Sequence, residues 1–223
     1  MDYKNPEKTY VSDVNEQFNL QAPYGQRVGV PKRVFPQDPK EFEPLMSQYY
    51  SQMEQLSVSL LQAFALGLGA DVNFFNDKFV PNGSCLRTLH YPEQRESLQK
   101  GQYRASAHTD YGALTILYST GPGLQVQTRD GEWIDIDIKP NEFVVNIGDL
   151  MAVWSNDRWV SNLHRVVGGK EIKKRISLAF FCNPDPDALI DCIPGCEGEG
   201  KKHKPVRSGD FIMKKFKASV GEI

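Results

Sequence analysis

The sequence is poor in several features that would assign a role at once. It has four cysteines in 223 residues. Cys85, Cys182, Cys192 and Cys196 form no paired C-x-x-C clusters and are too few for a disulfide scaffold. They are expected to be reduced, mostly buried thiols of a cytoplasmic protein. Cys192 and Cys196, with His203 nearby, make a poor metal knuckle, because the spacing is wrong and a fourth ligand is missing. Positive charge is not in excess either: 26 Lys and Arg against 28 Asp and Glu give a net charge of -2. That argues against nucleic acid as the main partner, since neutralising phosphates needs a Lys/Arg surplus on one face. No stretch approaches the ~20 apolar residues of a membrane span. The N-terminus, MDYKNPEKTY, lacks the basic-then-apolar pattern of a secretory signal. The Asn82–Ser84 sequon is therefore read as a turn, and the expected protein has no membrane or nucleic-acid partner.

What is present is an ordinary globular composition, 40% hydrophobic and 24% charged, in a chain long enough to bury a core without disulfides. Residues 1–37, with Pro6, Pro23, Pro31 and Pro36, read as an extended lead-in with little regular structure. Asp38 and Pro39 suit the N-cap and first position of a helix. Phe42, Leu45, Met46, Tyr49, Met53, Leu56, Leu60 and Phe64 follow at spacings of three and four. This predicts one long amphipathic helix over 39–67, ended by Gly67 and Gly69, with its apolar stripe packed in the core. A short second helix is expected around 71–79. After Pro81 the texture changes. SCLRTLHY, YRASAH, ALTILYS, GLQVQT, EWIDIDI, EFVVNIG, NLHRVV and RISLAFF are β-branched and aromatic segments divided by Gly, Pro and Asp turns, the pattern of an all-β sandwich or barrel. Residues 195–209 read as a solvated loop, and FIMKKFKASV as a short helix or a loose terminus. The fold expected is mainly β with α: an antiparallel sandwich packed against a long N-terminal amphipathic helix. Three regions follow: 1–80 (lead-in and helix), 81–190 (the β domain) and 191–223 (C-terminal loop and tail).

Within the β region, His108 and Asp110 are two positions apart. Side chains at i and i+2 of a strand share a face, so the two converge if the stretch is extended. His164 lies in a later β segment that a returning strand can bring back. Two imidazoles and one carboxylate suit a facial triad, three protein ligands on one side of a metal with the opposite positions open, as non-haem Fe(II) requires. Beyond His164, Arg175 and Ser177 also share a strand face, continued by Ala179 and Phe181. A guanidinium holds a carboxylate through two parallel hydrogen bonds, and a neighbouring hydroxyl adds a third.

Taken in order, HTDYGALTILY, GPGLQV, Trp133, VVNIGDLMAVWSN, HRVV and RISLAFF resemble the core of the 2-oxoglutarate- and Fe(II)-dependent dioxygenases, in the branch related to isopenicillin N synthase. The resemblance implies a double-stranded β-helix (jelly-roll) core. It places the iron ligands at His108, Asp110 and His164 and the 2-oxoglutarate clamp at Arg175 and Ser177. Tyr91, in LHYP, becomes a second contact to the same carboxylate. Plant members often carry Asn two residues before this tyrosine; Leu89 stands there and removes that hydrogen bond. Tyr111 and Phe181 fall where relatives line the substrate side, and they serve equally well as core aromatics.

The reaction implied is oxidative decarboxylation of 2-oxoglutarate by O₂ to succinate and CO₂, coupled to hydroxylation, desaturation or cyclisation of a small-molecule substrate. Asp110 occupies the position that related halogenases leave without a carboxylate, which favours these outcomes over halogenation. Three other readings compete. The Arg/Ser pair reports a bound carboxylate, not which one, so an oxidase using Fe(II) without 2-oxoglutarate remains open. A Zn²⁺ hydrolase would need a general base, and neither motif has a spare Glu or His beside it. A non-catalytic jelly-roll binding protein is the third. Relatives carry strands ahead of the point where this chain begins, so an N-terminal region is expected to be missing. That predicts an exposed sheet edge and self-association through it.

Overall fold

The computed structural model describes residues 13–22, 33–99 and 102–220. In chain order they form β1 (Glu16–Gln21), α1 (Phe42–Leu68), β2 (Cys85–Tyr91), β3 (Ala105–His108), β4 (Leu114–Ser119), β5 (Leu124–Gln127), β6 (Trp133–Asp135), β7 (Val144–Ile147), α2 (Asp149–Trp154), β8 (His164–Val166), β9 (Arg175–Cys182), β10 (Leu189–Ile190), β11 (Val206–Arg207) and α3 (Ser208–Val220). Each of the β segments read from the sequence carries a strand, β2 to β9.

A five-stranded sheet in the order β1-β2-β9-β4-β7 faces a four-stranded sheet in the order β3-β8-β5-β6. Every pairing in them is antiparallel. Together they make a jelly roll. Strand parity divides the five-stranded sheet into two faces. Leu86 on β2, Leu114 and Ile116 on β4, and Phe180 and Cys182 on β9 join Met46, Tyr50, Met53, Leu61, Ala65 and Leu68 of α1 in one buried cluster. The other face, with Arg87, Leu89 and Tyr91 on β2, Thr115 and Leu117 on β4, and Arg175, Ser177, Ala179 and Phe181 on β9, lines a cavity between the sheets.

Several sequence expectations shift. The stretches 1–12 and 23–32 of the lead-in lie outside the described residues, but β1 within it is a regular strand, paired with β2 from Glu16↔His90 to Gln21↔Cys85. Its alternation is masked because the inward positions are the polar Gln17, which lines the cavity, and Asn19, which accepts from Arg87, while Leu20 is buried against the core. Helix α1 starts at Phe42, and its N-cap position is Glu41, not Asp38. Pro39 instead sits in the preceding turn, where its carbonyl accepts from the Phe42 N–H. The buried stripe is Met46, Tyr50, Met53, Ser57, Leu61, Ala65 and Leu68. Leu45 is left outside at 64% exposure, and Tyr49, Leu56, Leu60 and Phe64 flank the stripe. Gly67 stays inside the helix, under the Trp159 ring, and Gly69 ends it in a left-handed conformation (φ 78°) that costs glycine little.

The second helix expected over 71–79 is only a 3₁₀ turn, Asn76–Lys78. Asn82 does form a turn: its side-chain Oδ1 accepts from the Ser84 N–H and its Nδ2 donates to Glu54. The 195–209 stretch is not a free loop. Cys196 and Ser208 are buried, and the Asn156 amide donates to the carbonyls of Cys196, Glu197 and Gly200. The C-terminal segment is the helix α3, tied back by Lys215 to Asp149 at 2.9 Å. No helix of the described residues is long and apolar enough to cross a membrane.

Candidate metal centre and carboxylate clamp

His108 is the last residue of β3 and His164 the first of β8, and the two are direct cross-strand partners. Antiparallel partners point the same way, which brings the ring centroids to 4.3 Å. Asp110 follows two residues after β3 has ended, so its approach is set by the loop, not by strand parity as the H-x-D spacing suggested. It places Oδ1 3.7 Å from His164 Nε2. One donor atom from each of His108, Asp110 and His164 lies within 4.8 Å of the others, and among the described residues no other His/Cys/Asp/Glu group converges so. Cys192, Cys196 and His203 do not form a site: the thiols are buried, and His203 Nε2 sits 2.9 Å from Asp157 Oδ1.

The surroundings fix the orientation of these donors. His108 Nδ1 is 2.7 Å from the Ser106 carbonyl and His164 Nδ1 is 3.1 Å from the Asn162 carbonyl. A carbonyl accepts only, so each Nδ1 carries the proton and each Nε2 is left as an acceptor, the tautomer a metal takes. The Asn146 amide on β7 donates to Asp110 Oδ2 at 2.7 Å. The Asp149 N–H holds the Asp110 carbonyl at 2.8 Å, and the Leu150 N–H bonds the Tyr111 and Gly112 carbonyls. His108 borders the cavity and is exposed to it, with surrounding protein still displacing part of the water its charged form would need. That desolvation, with His164 next to it, pulls its pKa below the usual imidazole value and favours the neutral, ligating form. Two imidazoles and one carboxylate open to a cavity fit a divalent cation that keeps positions free for exogenous ligands.

The cavity is about 910 Å³, and its walls include both this triad and Tyr91, Arg175 and Ser177. Arg175 and Ser177 are each 1% exposed. Arg175 Nε donates to Ser119 Oγ, and Ser177 Oγ lies 3.2 Å from the same oxygen. Arg175 Nη1 is buried with no hydrogen-bond partner. An unpaired buried guanidinium N–H is costly, and a carboxylate entering from the cavity would satisfy it. Tyr91 is the cross-strand partner of Arg175, with the guanidinium carbon 5.3 Å from its ring centroid. Leu89 faces the cavity as an apolar wall, and Tyr111 and Phe181 line it too.

Some residues of the site escaped the sequence reading. Ser119 and Asn146 act across strand pairs, which only the register shows. Arg87 was within reach: it shares the β2 face of Leu89 and Tyr91. It extends over Phe181 at 5.3 Å while its Nε donates to Asn19 Oδ1 at 2.7 Å. Asp13 and Ser106 also border the cavity, and Asp13 accepts from both the Ser106 N–H and its hydroxyl.

An antiparallel jelly roll with a His/Asp/His cluster and a buried arginine opening on one cavity defines a class of oxygenase scaffold. Residues 82–184 match the 2OG-Fe(II) oxygenase superfamily, and the chain belongs to that family. It is 35% identical to the 2-oxoglutarate-Fe(II) type oxidoreductase hxnY of Emericella nidulans, over 82% of this chain and 54% of the relative. It is 33% identical to homoarginine-6-hydroxylase 2-ODD-233 of rice (Oryza sativa subsp. japonica), over 83% of this chain and 59% of that protein. Among solved structures, a full-length Neurospora crassa protein in complex with alpha-KG and thymine superposes with a TM-score of 0.86 at 33% identity, covering 94% of this chain and 66% of that one. The same Neurospora protein with alpha-KG and 5-formyluracil superposes with a TM-score of 0.83, again at 33% identity, covering 92% of this chain and 70% of that one. This chain thus spans little more than half the length of the first two relatives.

Proposed function

We propose that the protein is a non-haem Fe(II) oxygenase. In this reading, it couples oxidative decarboxylation of 2-oxoglutarate, giving succinate and CO₂, to hydroxylation, desaturation or cyclisation of a small molecule. The observation that carries this reading is the shared cavity: three metal-type donors on one side, and on the other a buried arginine with an N–H that has nothing to bond. His108, Asp110 and His164 would hold the iron, which when bound supplies the one-electron chemistry that activates O₂.

Arg175 and Ser177 orient the distal carboxylate of 2-oxoglutarate, with Tyr91 against the same group. Ser119 keeps the Arg175 guanidinium aimed by accepting from Nε. Asn146 holds Asp110 by one oxygen and leaves the other toward the imidazoles. Tyr111 and Phe181 form part of the substrate wall, and the apolar lining from Leu117, Leu124 and Val126 limits water around the reacting groups. The relatives' names are consistent with a small-molecule substrate. A cytoplasmic setting is supported by four cysteines that are all unpaired and buried. A sheet edge offers a route to self-association: the outer strands of the five-stranded sheet are β1 and β7, and Val145 on β7 is 38% exposed.

The test is O₂-dependent succinate formation from 2-oxoglutarate by protein loaded anaerobically with Fe(II). Wild type should turn over, if slowly, even without its substrate, and Asp110→Ala should abolish that turnover. A folded, iron-loaded wild type that makes no succinate with any candidate substrate would favour a binding role instead.

A further inference from the structure

Arg104, immediately before β3, is with Arg175 one of two large charged side chains sealed in the interior among the described residues, at 0% exposure. Its main chain is fixed on both sides: the N–H donates to the Val166 carbonyl, and the carbonyl accepts from the Asn15 amide at 2.7 Å. Its Nη2 donates to the carbonyls of Tyr91 and Pro92, at 2.8 and 2.9 Å. The guanidinium carbon lies 5.2 Å from the Tyr91 ring centroid, close to the 5.3 Å of Arg175 over the same ring. Two guanidinium groups therefore share one tyrosine. Arg104 Nε and Nη1, like Arg175 Nη1, are buried with no partner. Among the described residues neither arginine makes an ion pair, and the nearby carboxylate of Asp13 is occupied by Ser106.

Burying two like charges without a counter-charge is expensive. A core that needed only packing would place apolar side chains here. The arrangement makes sense if a strongly negative ligand completes it. We propose that Arg104 is a positioning residue of the co-substrate site: it fixes Tyr91 by its main chain and ring, and it supplies the second positive charge by which the site selects a 2-oxo dicarboxylate over a 2-oxo monocarboxylate. This rests on the 2-oxoglutarate reading above. Arg104 is absent from the cavity lining, so it acts through Tyr91 and through its field. The cation–π geometry tethers the ring, and the two carbonyl bonds anchor the end of β2 where the ring begins.

The experiment is calorimetric titration of anaerobic, Fe(II)-loaded protein with 2-oxoglutarate and separately with pyruvate, which keeps the 2-oxo acid head but lacks the distal carboxylate. Arg104→Gln should weaken 2-oxoglutarate binding by about tenfold or more and leave pyruvate binding essentially unchanged. A variant that binds 2-oxoglutarate as wild type does, or that loses both ligands in equal proportion, overturns the proposal, because a merely structural role moves both together. If Arg104→Gln does not fold, Arg104→Lys decides. It keeps the charge, but one ammonium cannot reproduce the planar fork, so 2-oxoglutarate should weaken several-fold, and an unchanged affinity refutes the positioning role. An iron-loaded wild type that binds no 2-oxoglutarate removes the underlying reading, a result distinct from wild type and variant binding alike.

Discussion

At the level of single residues, the proposed metal centre depends on groups that do not touch the metal. Asn146 is the clearest: one hydrogen bond of 2.7 Å fixes Asp110 Oδ2. Partners of this kind typically contribute ten- to a hundredfold in metal affinity. Asn146→Ala is therefore expected to raise the Fe(II) dissociation constant by about tenfold while leaving the melting temperature close to wild type, measured by anaerobic metal titration beside a thermal melt. The residue types themselves were legible. Parity along RISLAFF correctly put Arg175, Ser177, Ala179 and Phe181 on one face. Strand parity does not bring His108 and Asp110 together, because β3 stops at His108 and the convergence comes from the His108↔His164 partnership and the following loop. Cross-strand partnership depends on register, and a single sequence does not carry it. The same limit hid Ser119, Asn146 and the placement of Arg104.

Among the elements, the turn carrying HTDYG is packed against the start of α2 without spare room. A Cβ on Gly148 would meet the Gly112 carbonyl oxygen at 2.2 Å, and one on Gly112 would meet Asn183 Oδ1 at 2.0 Å. Gly148 lets the entry to α2 lie against the Asp110 loop, and Gly112 lets that loop lie against the end of β9. Gly148→Ala should destabilise the fold by roughly 1–3 kcal/mol in urea denaturation. It should also weaken Fe(II) binding, because the loop it displaces is the one that presents Asp110. Strands of alternating character were readable wherever one face was apolar, which is why β2 to β9 were found. β1 is not legible because its inward positions Gln17 and Asn19 are polar, so EQFNLQ lacks a plain hydrophobic rhythm. The long helix is legible with its stripe centred about one residue away, since Ser57 and Ala65 carry little hydrophobic signal although both are buried in the stripe.

For the molecule as a whole, burial sets the response to alkali. Desolvation raises the Cys85 thiol from 9.0 to about 11 and the Cys182 thiol from 9.0 to about 12, and Tyr49 is raised from 10.0 to about 12 for the same reason. Each of these groups is neutral when protonated, and the folded state resists its ionisation. Their contribution to stability is complete below the unfolded values and is lost as pH climbs through 9–10 toward the folded values. The urea midpoint should hold steady from pH 7 to about 8.5 and fall progressively above about pH 9. Both thiols should stay unreactive to alkylation at pH 8 until denaturant is added. A midpoint that did not move by pH 10.5 would count against this.

β9 gives the jelly roll one more property. It runs between β2 and β4, with Phe180 and Cys182 turned toward α1 and Arg175 and Ser177 toward the cavity. Slipping its register by one residue would exchange the two sets, driving a guanidinium into the oily layer and emptying the clamp in the same move. A chain that has mispaired this strand cannot keep a sound interior and a broken site, or the reverse. Co-substrate binding would then act as a built-in quality check, reporting what fraction of a refolded preparation has threaded its central strand correctly.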